Sequence, residues 1–130
     1  MQRNDLVERK KRILVVDDSE FVRSYHSYIL EQAKFQAVTA VDGSDGLEKL
    51  YGNVCDLVLT DINMRNMDGY EFIRRVRADD AYASLPIVIV STESQSIDKA
   101  KGFEAGANLY IVKPCAPETM IENIRMILGE

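Results

Sequence analysis

The sequence predicts an α/β fold, a doubly wound, five-stranded parallel sheet with five helices on its two faces. Two observations carry this. Short apolar runs rich in β-branched residues recur without polar alternation, the pattern of strands covered on both sides. Stretches with helical spacing separate them, and strict alternation of strand and helix demands crossover connections that place helices above and below a parallel sheet. With 130 residues and no long linker, repeat or low-complexity tract, the chain makes one domain.

The elements follow in order. Residues 13–16 (Ile-Leu-Val-Val) form the first strand, and Phe21, Tyr25, Tyr28 and Ile29 mark the apolar face of the first helix. Residues 36–41 make a weaker strand, followed by a helix on Leu47, Leu50 and Tyr51. The third strand is 57–59, with Phe72, Ile73 and Val76 spacing the helix after it. The fourth is 87–90, and its helix carries Ile97, Ala100, Phe103 and Glu104. Residues 109–112 close the sheet before a last helix, entered at Pro117 and faced by Met120, Ile121, Ile124, Ile127 and Leu128. Asp42-Gly43, Asp68-Gly69, Gly102, Gly106 and Lys113-Pro114 punctuate the series, and Asp68-Gly69 has the chemistry of a turn.

Composition excludes several function classes. No apolar run approaches the roughly 18 residues a membrane helix requires, so no membrane role is expected. Residues 1–11 form a lead-in, flexible and solvated, before a domain spanning 12–130. Its Arg3, Arg9, Lys10 and Lys11 are balanced in part by Asp5 and Glu8, and no secretory apolar core follows. A cytoplasmic protein is therefore expected. Cys55 and Cys115 are too few and too far apart for a disulfide framework or a zinc site and should be free thiols. A net charge of −5 argues against a nucleic-acid partner, because neutralising phosphates takes clustered cations.

In parallel sheets of this kind the site forms at the carboxyl ends of the strands. Here those ends carry Asp17-Asp18, Asp61, Ser91-Thr92 and Lys113-Pro114. Asp18 and Ser19 also suit a helix N-cap, but capping does not explain why every one of these residues closes a strand. Clustered carboxylates repel unless a cation sits among them, and Mg²⁺ prefers oxygen ligands while keeping waters that a phosphoryl oxygen replaces. Lys113 supplies positive charge for an anion arriving there, and Ser91 a hydrogen bond. With no His or Cys at the strand ends, the nucleophile is a carboxylate, and Asp61, central in the sheet, is the best placed. The single histidine, His26, reads as a surface or half-buried residue of the first helix, outside any phosphoryl chemistry. Met64 and Met67 read as local packing.

The motifs VVDDSE, LTDINMRNMDG, VIVSTES and YIVKP, in that order and each at a strand end, resemble the receiver domain of two-component response regulators in its stand-alone, CheY-like form. The resemblance covers residues 12–129. It implies a flavodoxin-like strand order 2-1-3-4-5 and makes Asp61 the phosphoacceptor. Asp18 and Asp61 would bind Mg²⁺ by side chain, Asn63 by its backbone carbonyl, and Asp17 mostly through a metal-bound water. Ser91 and Lys113 would hold phosphoryl oxygens. The phosphodonor would be a histidine kinase or a small molecule such as acetyl phosphate. Ser91 and Tyr110 would form the switch that re-shapes the face of the fourth helix, fifth strand and fifth helix, where a downstream protein docks. Asn63 and Glu93 would flank the water that ends the signal. The resemblance implies a signalling switch that catalyses its own phosphorylation and dephosphorylation, a monomer or weak dimer, rather than an enzyme acting on other substrates. Two departures stand out: Met64-Arg65 replaces the family's common Met-Pro, freeing the loop and bringing a second cation near the site, and Cys115 replaces a common Phe. Chemotaxis or motility regulator, phosphorelay intermediate and phosphorylation-independent pseudo-receiver remain open alternatives. A phosphohydrolase of the haloacid-dehalogenase type would want an acid where Asn63 stands.

Overall fold

A computed structural model describes residues 9–130. Most of the lead-in expected over 1–11 lies outside the described residues. Five strands alternate with five helices: β1 Arg12–Val16, α1 Glu20–Gln32, β2 Gln36–Ala40, α2 Gly43–Gly52, β3 Leu57–Thr60, α3 Gly69–Ala78, β4 Ile87–Ser91, α4 Ser96–Ala105, β5 Leu109–Val112 and α5 Pro117–Leu128. A short 3-10 turn, Asp80–Tyr82, follows α3. The strands are parallel, in the order β2-β1-β3-β4-β5.

Alternate side chains of each strand point to opposite faces, so one sheet serves two apolar layers. Ile13, Val15, Leu57, Leu59, Val88 and Val90 pack against α1 and α5. Leu14, Val16, Val58, Ile87 and Ile89 pack against α2, α3 and α4. The three central strands are buried along nearly their whole length, which is why they read as unbroken apolar runs. Edge strand β2 is partly exposed, and its sequence signal is weaker for that reason.

Two helices turn a different face inward from the one their spacing suggests. Phe21, Tyr25 and Tyr28 of α1 are exposed, and His26, Ile29 and Leu30 are buried. Residues 22, 26, 29 and 30 have the same 3.6-residue period as the aromatic stripe one position away, so periodicity alone does not choose between them. His26 is thus a core residue and not a surface one. In α4, Ile97 and Phe103 are exposed while Gly102 and Ala105 face the sheet. Gly102 lies inside that helix, where a Cβ would come 2.6 Å from Ile89 Cδ1, so a small residue lets the helix lie close. Tyr51 is likewise exposed.

Asp42 and Asp68 are N-caps of α2 and α3, accepting from the backbone N–H of Asp45 and Glu71. Asp68-Gly69 therefore begins a helix where a turn was expected. At the opposite end of the sheet Arg9 pairs with Asp56, its two guanidinium nitrogens on the two carboxylate oxygens at 3.1 and 3.2 Å. Among the described residues no helix is long and apolar enough to cross a membrane.

Candidate functional site

The strand register sets the site. Asp17 follows β1 directly, its N–H donating to Ala40 O of β2, and Asp61 follows β3, its N–H donating to Val16 O of β1. Both carboxylates thus leave the sheet at the same level, beside one another. Asp17 is buried; one oxygen accepts the Ser19 N–H at 2.9 Å, and Arg23 of α1 donates to its carbonyl at 2.8 Å. Asp18, half-buried, shares that loop. The Asp61 Oδ1 accepts the Ile62 N–H at 2.7 Å, and the buried Thr60 hydroxyl donates to the Asp61 carbonyl at 2.9 Å.

Lys113 comes from the far edge of the sheet. Its N–H donates to Ser91 O at the end of β4, and the Lys113-Pro114 peptide bond is cis. The ammonium reaches two carboxylates at once, 3.1 Å from Asp17 Oδ2 and 3.4 Å from Asp61 Oδ2. All three side chains are largely withdrawn from water, so the ion pairs are screened far less than surface ones. Burial pushes the Asp61 carboxyl above its ordinary range; the Lys113 charge and the Ile62 N–H pull the other way, and the Asp17 charge adds to the rise. Further positive charge beside Asp61 would favour its charged form.

A second cluster adjoins the first. The buried Ser91 hydroxyl accepts the Glu93 N–H at 3.1 Å, and the Tyr110 hydroxyl donates to Glu93 O at 2.7 Å. Asn63, from the loop after Asp61, donates to the Glu93 carboxylate at 2.8 Å. The expected switch pair and the expected hydrolysis-tuning pair therefore meet on one residue, Glu93.

Other expected residues lie elsewhere. The Arg65 side chain, which is exposed, makes none of the described hydrogen bonds or ion pairs, and its charge acts on Asp42. The loop it occupies is tied down without a proline: Asn66, at φ 67°, donates to Asp42 Oδ2 at 2.8 Å, and Gly43 N–H donates to Met67 O. The cap to the Asp45 N–H and the Asn66 bond hold the Asp42 carboxyl below its usual range. Cys55 and Cys115 are free. Sequence reasoning missed Arg23, Asn66 and Gly69. Gly69 had a visible signal in its Asp-Gly pair; a Cβ there would run into the Asp61 carbonyl oxygen, so only glycine lets α3 begin against the end of β3. For Arg23 and Asn66 no local pattern exists.

The expected donors, the carboxylates of Asp17, Asp18 and Asp61 and the Asn63 carbonyl, are all oxygen, a set whose chemistry suits a hard divalent cation. Among the described residues no three His, Cys, Asp or Glu side chains are arranged to hold a metal by themselves. Lys113 occupies one oxygen each of Asp17 and Asp61, so a metal would draw on waters and main chain as well as carboxylates.

The chain matches the family model described as response regulator receiver domain over residues 13–125. It is 35% identical over 120 residues to chemotaxis protein CheY1 of Helicobacter pylori, covering 91% of this chain and 97% of that protein. It is 34% identical over 105 residues to a gliding motility regulatory protein of Myxococcus xanthus, covering 81% of this chain and spanning only 14% of that protein. The solved structure of chemotaxis protein CheY4 of Vibrio cholerae superposes with a TM-score of 0.87 at 34% identity, covering 91% of this chain and 98% of that one.

Proposed function

The chain belongs to the response regulator receiver domain family, and from that premise we propose that Asp61 accepts a phosphoryl group from the phosphohistidine of a partner kinase. The observation that carries this reading is the Lys113 ammonium lying between Asp17 and Asp61 at the strand ends. An Asp61 carboxylate oxygen attacks phosphorus while the bond from phosphorus to the donor's imidazole nitrogen breaks. The electron pair leaves with the ring, which a proton then neutralises. Held by the Ile62 N–H at one oxygen, the carboxylate has little rotation to lose on reaching the transition state.

Lys113 turns from Asp61 Oδ2 to the incoming phosphoryl oxygens, exchanging one anionic partner for a more highly charged one. Ser91 turns its hydroxyl from the Glu93 N–H toward the same oxygens, and Tyr110, already bonded to Glu93 O, follows the loop. Asp18, Asp61 and the Asn63 carbonyl would hold Mg²⁺, with Asp17 acting through a bound water. When bound, the ion supplies positive charge to the phosphoryl oxygens. Asn63 and Glu93, bonded to each other at the mouth, tune the water that hydrolyses the product.

The output is a changed docking face on α4, β5 and α5, where Ile97, Phe103 and Met126 are exposed apolar residues suited to a protein partner. The chemotaxis roles named for the Helicobacter and Vibrio proteins favour a motility partner and a cytoplasmic setting.

The test is the intact mass after incubation with Mg²⁺ and acetyl phosphate, run beside Asp61→Asn. The wild type should gain one phosphoryl group and the variant none. Beryllofluoride, a phosphoryl mimic, covers the case of rapid hydrolysis. Response to neither reagent would overturn the reading.

A further inference from the structure

The phosphoacceptor loop and α4 are joined by a contact that involves neither Ser91 nor Tyr110. Gly69, the first residue of α3, lies so close to the Asp61 main chain that no side chain fits between them, and its N–H donates to Ile62 O at 2.8 Å. Any displacement of the Asp61 backbone is therefore carried directly into the start of α3. The next residue is Tyr70. Its half-buried ring packs into the same apolar layer as Tyr110, and its hydroxyl donates to Asp98 O, in the first turn of α4, at 3.2 Å. Burial, with Tyr110 and Asp98 nearby, pushes that hydroxyl up to about 12, so it remains a donor at any physiological pH.

Two tyrosine hydroxyls thus hold main-chain carbonyls on either side of Ile97, Tyr110 at Glu93 and Tyr70 at Asp98. Ile97, between them, is 63% exposed. α3 also grips the other end of α4, where Arg77 Nε donates to Gly106 O at 3.0 Å. Gly102, in the middle, would place a Cβ 3.3 Å from the Tyr110 ring, so the helix rests on the sheet with no spacer. α4 is thus tied to α3 at both ends, by Arg77 at Gly106 and by the Tyr70 hydroxyl in its first turn.

We propose that Tyr70 is a positioning residue that tethers the first turn of α4 to the phosphoacceptor loop, so that a change at Asp61 reaches the segment presenting Ile97 by a path separate from Ser91 and Tyr110. This rests on the reading of Asp61 as phosphoacceptor. The hydroxyl passes on a displacement and touches neither donor nor phosphoryl group, so its loss should leave the chemical step alone.

The experiment is amide hydrogen exchange of the full chain, wild type and Tyr70→Phe, each with and without Mg²⁺ and beryllofluoride. The ring is kept, so the apolar layer is kept. Exchange in the first turn of α4 should rise about two- to tenfold in the variant without the mimic, the range for one lost hydrogen bond. The change that the mimic induces there should fall by at least half. Phosphoryl gain from acetyl phosphate should stay within about twofold of wild type, a split that a purely structural defect would not produce. Unchanged exchange in α4 would overturn the tether, as would a uniform rise that includes β1 and β3. A wild type that responds to neither acetyl phosphate nor beryllofluoride would overturn the phosphoacceptor reading instead, and faster exchange in the unliganded variant would still support the tether.

Discussion

His26 is a buried histidine on the inward face of α1. It is 5% exposed, its ring takes part in none of the described side-chain hydrogen bonds, and with Val90, Thr92, Cys115 and Met120 it lines a cavity of about 300 Å³ beside Lys113. Burial lowers its pKa from the ordinary 6.5, the Lys113 charge lowers it further, and Asp17 offsets part of this. With the folded value below the unfolded one, the unfolded chain binds more protons between the two, so stability rises with pH across that window. The contribution is fully present above 6.5 and is lost as pH falls toward the folded value. Urea midpoints taken at successive pH values from neutral downward should therefore fall more steeply for the wild type than for His26→Leu, which has no imidazole to protonate. The carboxylates titrate in both proteins, so the difference between the curves isolates His26. Parallel curves would mean that the ring gains its proton without penalty.

At the scale of elements, the junction between β3 and α3 bears the tightest constraint. Asp68 caps the helix, and Gly69 lies against the Asp61 carbonyl and the Ile62 Cα. A Cβ at 69 would meet backbone, which does not yield as a flexible side chain does. Gly69→Ala should cost roughly 1–3 kcal/mol of stability, the range for forcing atoms into a packed site. It should also slow phosphoryl uptake, because the Asp61 main chain must move to accept it. Gly52→Ala is the control: at the end of α2 nothing lies within 4 Å of the added carbon. Stability there should stay unchanged or rise by up to about 1 kcal/mol, from the smaller entropy of the unfolded chain. Denaturant unfolding of the two variants side by side decides the matter; equal losses would show that the contact at Gly69 relaxes freely.

For the whole molecule, the decisive fact is convergence. The order β2-β1-β3-β4-β5 sets β1 beside β3 and leaves Lys113 to reach in from beyond β4. Asp17 and Asp61 then meet a single ammonium, with Asp18 next to Asp17 in the same loop, and burial holds the Asp61 carboxyl above its ordinary range. A divalent cation that binds the folded chain alone should stabilise it by about 1.4 kcal/mol at ten times its dissociation constant. Thermal midpoints in Mg²⁺ should exceed those in chelator, and Asp18→Asn should lose most of the increase. A wild-type midpoint indifferent to Mg²⁺ would remove the metal from the account.

Much of this architecture was legible in the order of residues. Strands buried on both faces must be apolar throughout, so β1, β3 and β4 announce themselves, and a parallel partner demands a crossover, so the helices between them follow. The acids and the lysine at the strand ends were legible too, because the carboxyl edge of such a sheet is where its ends gather. The tertiary structure alone decided which stripe of α1 turns inward, that α4 seats on Gly102 and not on Ile97 and Phe103, and that Lys113 lies nearer Asp17 than Asp61. Periodicity and residue type are properties of a single segment and survive in the sequence. The distance between one segment and the next belongs to neither, and it appears only when both are packed on the same sheet.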